Sequence, residues 1–322
     1  MATVIDPDDI DFAAYLFETD PKQKVKPAKA FIEDMLHWMY TPSLEQHTYL
    51  PWDKVRDKFQ FRQGEVTLWA GINGHGKSLI TGQAGLSLMG QGQSICIASF
   101  EMKPRKTLER MARQWSGMAP AHIHDQVELI EGYKDVVRQF GDWTDGRMWI
   151  YDQLGTTNPE TMVSVARYCA KELGIQHMFI DSLMKCVKGE DDYNGQKYLV
   201  DELCSIAKDH DMHIHLIHHI KKLPNEDQMP GKFDAKGSGA ITDQVDNMLI
   251  HWRNKAKENA IKCGEAFDPK EPDAVLLCSK QRNGEDEPII HLWFDRETQQ
   301  FKAEAVDRPV SFDSWPHRPW GI

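Results

Sequence analysis

The 322-residue sequence predicts an α/β fold with a mostly parallel central sheet, flanking helices and an antiparallel C-terminal edge. Three observations carry that expectation. From Gly64 onward, short apolar runs alternate with segments of helical periodicity. One of those runs leads into a glycine-rich loop and then a helix. After residue 275 the helical segments give way to short strands separated by turns such as Asn283-Gly284.

Residues 1 to about 27 are acidic and then rich in Lys and Pro, and they read as an extended arm. Asp6, Asp8, Asp9, Asp11, Glu18 and Asp20 fall in the first twenty residues, which hold no Lys or Arg. The segment Ala28–Tyr40 places Phe31, Ile32, Met35, Leu36 and Met39 at helical spacing, which predicts an amphipathic helix. Two roles are open to it: packing on its own domain or packing on a neighbouring subunit. A loop follows, TPSLEQHTYLPWDKV. These elements divide the chain into an arm and linker helix (1–60), a main α/β domain (61–304) and a tail (305–322) that is Pro- and Trp-rich and irregular.

In the main domain the expected strands are Val66–Ala70, Ser94–Ser99, Met148–Tyr151, His177–Ile180, His213–His218 and Asn247–His251. The expected helices are Lys77–Met89, Arg105–Ser116, Asp125–Phe140, Glu160–Leu173 and Gln196–Asp211. The edge strands are Val275–Ser279, Ile289–Phe294 and Gln300–Ala303.

The stretch Gly71-Ile72-Asn73-Gly74-His75-Gly76-Lys77-Ser78 fits G-x-x-x-x-G-K-[ST], a phosphate-cradling loop. It lies between a strand and a helix, the context that pattern needs. Glycines let the backbone wrap phosphates, and amides at the helix N-terminus point at them. Lys77 would neutralise phosphate charge, and the Ser78 hydroxyl would be a Mg²⁺ ligand. The bound nucleotide would be ATP or another nucleoside triphosphate. A plain glycine-rich turn is the alternative.

Other candidates lie at strand ends, where α/β sheets bind ligands. Glu101, after Ala98-Ser99-Phe100, can polarise an attacking water; a Glu opening a helix before Pro104 is the bland alternative. Asp181 ends the apolar strand HMFID and would hold Mg²⁺ directly or through water. Alternation puts His213, His215, Ile217 and His219 on one face of a strand and His218 on the other. The expected reading is a core strand ending in a polar residue, His219, that reaches a γ-phosphate; a histidine metal site is disfavoured. Lys221, Lys222, Lys232 and Lys236 lie in a Lys-, Pro- and Gly-rich loop able to contact a phosphate backbone. Lys280 and Arg282 end a strand before a tight turn and suit charge stabilisation in phosphoryl transfer.

Composition narrows the setting. The net charge of −11 argues against a surface that is basic all round, while leaving room for a local basic channel. No apolar run approaches the ~20 residues of a membrane span. The six cysteines lack C-x-x-C spacing and sit mostly in apolar segments, which predicts free thiols in a reducing, cytoplasmic compartment.

In order, GINGHGKS, ASFEM, MFIDSL, LIHHIKK, AKGSGAITDQVDNMLIHWRN and CSKQRNGEDE resemble the RecA-like motor domain of hexameric replicative helicases. The likeness runs to the mitochondrial helicase Twinkle, to the helicase half of short-tailed-phage primase-helicases and, more distantly, to DnaB. It covers about Gly64 to Phe301. The resemblance implies a RecA-like P-loop NTPase acting as an ATP-dependent DNA helicase. Glu101 would be the base, Asp181 the second Mg²⁺ residue, and His219 a γ-phosphate sensor. Arg282, with Lys280 beside it, would act across a subunit interface, and Arg253 would help there. It further implies a homo-hexamer around single-stranded or forked DNA, 5′ to 3′ movement, and primase, polymerase or loader contacts through the arm or the Trp315/Trp320 tail. Only about sixty residues precede Gly64, so a motor without its own primase region is expected. His75 and Lys236 depart from the usual pattern. A strand-exchange ATPase, a nucleotide switch and a histidine metalloenzyme are the rival readings.

Overall fold

The computed structural model describes residues 3–5, 10–16, 27–40, 47–122, 125–189, 191–220, 229–231, 234 and 239–313. In chain order the strands are β1 (Thr3–Ile5), β2 (His47–Tyr49), β3 (Gln60–Arg62), β4 (Val66–Gly71), β5 (Ile95–Ser99) and β6 (Met148–Tyr151), then β7 (His177–Asp181), β8 (His213–His219), β9 (Asn247–Arg253), β10 (Ala274–Gln281), β11 (Ile289–Phe294) and β12 (Phe301–Lys302). The α-helices are α1 (Ile32–Tyr40), α2 (Lys77–Gly90), α3 (Pro104–Ser116) and α4 (Val127–Trp143), then α5 (Pro159–Lys171), α6 (Tyr193–Asp209), α7 (Gly239–Gln244) and α8 (Lys255–Cys263).

One ten-stranded sheet runs β1-β6-β5-β7-β8-β4-β9-β10-β11-β12. It is parallel from β1 through β9 and antiparallel from β9 to β12. The expected strand and helix series of the main domain is present, within a few residues at each end. Central strands are buried on both faces, which is why they read as unbroken apolar runs. Val66, Leu68 and Ala70 enter one core with α5 and α6. Trp69 enters the other core, with α2, α3 and the edge strands. Local signals set the helix starts: Asn158 accepts from Thr161 N–H before α5, with Pro159 at the first helical position, and Asn254 accepts from Lys257 N–H before α8.

Several elements differ from expectation. The arm's described residues dock on the main domain: Thr3–Ile5 pairs with β6, and Phe12 and Tyr15 set their rings edge-on to Tyr168. The expected loop after residue 40 includes β2, which pairs with β3, and Leu50, Trp52 and Val55 in the core. The tail up to 313 is irregular, yet Phe312 is fully buried and donates its N–H to Trp115 O. Helices α7 and α8 are additional to the expected series; at six and nine residues both are short. Of the six cysteines, five are buried and Cys263 is exposed, all with free thiols. No described helix is long and apolar enough to cross a membrane.

Helix α1 forms as expected, but its apolar face is not packed on its own domain. Phe31, Ile32, Met35, Leu36 and Met39 are 37–56% exposed.

Candidate functional site

The phosphate loop is built by β4 and α2. Gly74 and Gly76 adopt φ of +79° and +92°, the left-handed region that glycine enters without a Cβ clash. Gly71 matters for a different reason: a Cβ there would lie 2.6 Å from His251 O on β9. Lys77 is buried, and its ammonium donates to Gly71 O (3.0 Å) and Ile72 O (3.2 Å), which hold it at the mouth of the loop.

Around this loop lies a cleft of ≈ 560 Å³ lined by Asn73, Gly74, Gly76, Lys77, Ser78, Glu101, Asp181 and His219, together with Arg110 and Arg253. That volume lies within the usual range for a small-molecule site. The β-sheet explains the convergence. Strands β4, β5, β7 and β8 run parallel, so their carboxyl ends deliver Gly71, Ser99, Asp181 and His219 to one edge. Ser78 Oγ donates to Asp181 Oδ2 at 2.6 Å. Burial pushes the Asp181 carboxyl above its ordinary range, against the lowering effect of the Ser78 hydrogen bond. Glu101 is half-exposed, with Lys185 Nζ 3.8 Å and His219 Nε2 4.0 Å from its Oε1.

These residues fit a Mg²⁺-nucleotide. A hydroxyl and a buried carboxylate meet beside the loop lysine, which is a hard-oxygen donor set. A cation there would offset the burial penalty on Asp181. Ser99 Oγ, buried at the adjoining strand end, has no hydrogen-bond partner among the described residues.

His75 and His251 are neutral parts of the loop's frame. Arg253 N–H donates to His75 Nδ1 (3.1 Å), and His251 Nε2–H donates to His75 O (2.9 Å). Burial, assisted by Lys255, Lys77 and Arg253, lowers the His75 pKa to about 4. Burial lowers that of His251 to about 3.

The strand histidines make no metal site. His177, His213 and His215 stack in the core beneath Phe61 and Phe179. Burial drives all three pKa values down. No group of three or more His, Cys, Asp or Glu that could hold a metal occurs among the described residues.

Lys280 and Arg282 lie elsewhere. Strand β9 is parallel to β4 and β10 is antiparallel to β9, so Gln281 sits opposite Asn247, beside Thr67 at the amino end of β4. The phosphate loop leaves the other end of β4. Four residues at ~3.3 Å each put about 13 Å of strand between the two ends. Arg282 Nη1 donates to Asp246 Oδ1 at 2.9 Å, and Lys280 Nζ donates to carbonyls of residues 242, 243 and 245.

One cleft residue escaped the sequence reading. Arg110 comes from α3, in a charged amphipathic stretch with no distinguishing signal. Arg253, expected at a subunit interface, lines its own chain's cleft, pairs with Glu258 (3.1 Å) and lies over the Phe294 ring. Lys221, Lys222, Lys232 and Lys236 lie outside the described residues, as do Trp315 and Trp320.

A parallel sheet, a glycine loop opening α2 and a hydroxyl–carboxylate pair beside the loop lysine define a RecA-like phosphate-loop nucleotide-binding domain. The family model for the DnaB-like helicase C terminal domain matches residues 54–303. The chain belongs to that family. It is 23% identical over 212 residues to the replicative DNA helicase DnaB of Treponema pallidum, covering 64% of this chain and 44% of that protein. The chain thus spans less than half the length of this curated relative. A solved structure of an isolated ATPase domain superposes with a TM-score of 0.68 at 14% identity, over 86% of this chain and 99% of that one. A DnaB-like replicative helicase solved in a study of its interactions with primase gives 0.67 at 15% identity, over 86% and 67%.

Proposed function

We propose that the chain is an ATP-dependent replicative DNA helicase motor that moves on single-stranded DNA and opens duplex at a fork. The carrying observation is the convergence of Lys77, Ser78, Glu101, Asp181 and His219 on one cleft, with Lys280 and Arg282 at the opposite edge of the same sheet. Lys77 and the loop amides bind the β- and γ-phosphates. Mg²⁺, held by Ser78 and Asp181, supplies charge neutralisation when bound. Glu101 accepts a proton from the attacking water. His219, near Glu101, reports the γ-phosphate to the lysine-bearing segment that follows it, where Lys221, Lys222, Lys232 and Lys236 contact the DNA backbone.

Arg282 and Lys280 act on a neighbouring copy's nucleotide, so the working unit is a ring of copies, read as six. The exposed apolar face of α1 supports the subunit-bracing role of the two considered for that helix. Movement is 5′ to 3′, in the cytoplasm, with primase, polymerase or loader contacts through the arm or tail.

Strand displacement on forked DNA with ATP and Mg²⁺ tests the reading. Unwinding that needs a free 5′ tail and is lost in Lys77→Ala is expected. Single-stranded-DNA-stimulated hydrolysis with strand annealing and filaments, instead of unwinding, would establish a strand-exchange ATPase.

A further inference from the structure

The far edge of the sheet holds its two cations in a specific socket. Arg282 donates from Nη1 to Asp246 Oδ1 (2.9 Å) and from Nη2 to Asp243 O (3.0 Å) and Gln244 O (3.4 Å). Its backbone N–H donates to Asp246 O (2.9 Å). Lys280 Nζ donates to Thr242 O (2.9 Å), Asp243 O (2.9 Å) and Val245 O (2.6 Å). The four consecutive carbonyls from 242 to 245 therefore all accept from these two side chains. Carbonyls 242 to 244 end α7 and that of Val245 follows directly, where a helix leaves its last C=O groups without internal partners and carries partial negative charge.

Asp246 closes the socket. It is 3% exposed, and its second oxygen, Oδ2, accepts from Val66 N–H (3.0 Å) at the start of β4. Its position is thus fixed by the strand that carries the phosphate loop. An aimed carboxylate fixes a guanidinium more tightly than neutral acceptors do. The Arg282 side chain stays 42% exposed, so it is held from one side and accessible from the other.

We infer that Asp246 is a positioning residue for phosphoryl transfer: with the carbonyl end of α7, to which Lys280 is also tied, it presets Arg282 for the nucleotide of an adjacent copy. This rests on the reading of Arg282 as a trans-acting cation. The socket gives the pair a second consequence. Helix α7 follows directly on the lysine-bearing segment, so the side chains that fill this socket also brace the first described helix after the DNA-contacting stretch.

The alternative is that Asp246 only anchors β4. Epistasis separates the two. Steady-state ATP hydrolysis with single-stranded DNA is measured on the full chain for wild type, Asp246→Asn, Arg282→Ala and the double variant, with a thermal melt for each. Asn keeps the shape and an acceptor for Val66 N–H but removes the charge. Asp246→Asn should lower kcat by roughly 10–100-fold, the scale of a misplaced catalytic group, and leave KM for ATP within about twofold. In the Arg282→Ala background the same change should cost nothing further. Asp246→Ser, which also removes the carboxylate, serves if the asparagine variant is unstable. Multiplicative losses in the double variant, or a Tm loss with wild-type kcat, would overturn the inference while leaving the trans-acting reading intact. Wild-type turnover by Arg282→Ala would overturn that underlying reading, and the inference with it.

Discussion

Acidification should destabilise this fold through its buried histidines, and His213 allows the effect to be sized. Its Nδ1–H donates to Arg62 O (2.6 Å), and its Nε2 accepts from Thr67 Oγ1 (2.8 Å). The neighbouring ring is locked as well: Trp69 Nε1–H donates to His215 Nδ1 (3.1 Å), so His215 donates from Nε2 to His177 Nδ1 (3.1 Å). An indole N–H cannot become an acceptor, so a second proton on His215 would break that bond. Burial lowers the His213 pKa from 6.5 to about 4. Between those values the unfolded chain binds more protons than the folded one, so stability rises with pH across that window and falls as the solution is acidified. At pH 5 the cost from this one group is about 2 kcal/mol. Asp181 and Glu65, whose carboxyl pKa values burial raises, act in the opposite direction and must be cancelled out. The assay is therefore differential: urea unfolding followed by tryptophan fluorescence at pH 7.5 and pH 5.0, for wild type and His213→Gln. Whatever the substitution costs at pH 7.5, the variant should lose about 2 kcal/mol less than wild type on acidification. Equal losses would refute the argument that His213 is held neutral by the fold.

Gly71→Ala should destabilise the fold by roughly 1–3 kcal/mol, because its Cβ would meet His251 O at 2.6 Å; a denaturation series measures this. Asp181→Asn should raise the Mg²⁺ concentration needed for half-maximal ATP turnover without lowering Tm, since it removes the carboxylate beside Ser78; a Mg²⁺ titration of turnover reads it. Serine at Met35 or Met39 should weaken self-association by roughly tenfold or more per site, given ~1.5–3 kcal/mol for burying such a side chain, while the thermal melt of the dissociated chain stays put; sedimentation velocity over a dilution series distinguishes the two.

The legible part of the sequence was the part written in local patterns. Strands β4, β5 and β7 are buried on both faces and read as largely apolar runs. The loop from Gly71 to Ser78 carries its conformation in its glycines, and Asp181 stands at a strand end. What escaped depends on partners distant in sequence. Thr3–Ile5 is a strand only because β6 presents an open edge to it. Arg110 looks like any charge on an amphipathic helix until α3 is docked against α2. The histidines of β8 resemble a metal cluster in one dimension. In three, Thr67, Trp69 and His177 already occupy nitrogens of His213 and His215. Asp246 sits in a quoted motif, yet nothing local marks it as the partner of Arg282, thirty-six residues on.

The reversal of strand direction between β9 and β10 has the largest functional weight. In the parallel part of the sheet, β4, β5, β7, β8 and β9 deliver their carboxyl ends to the nucleotide cleft. Strand β10 starts at that edge, with Ala274 opposite Arg253, and ends at the other, with Gln281 opposite Asn247. Two cations placed at the end of an antiparallel strand are therefore carried away from their own chain's phosphates by a distance no side chain can span. If they act in phosphoryl transfer at all, they act on another copy's nucleotide. A chain built this way would hydrolyse ATP efficiently only when its far edge meets a neighbour's cleft. Turnover per chain should then rise with chain concentration, and mixing Lys77→Ala with Arg282→Ala chains should restore activity, because each supplies what the other lacks at the shared interface. Mixtures that stay as inactive as either variant alone would refute that geometry of cooperation.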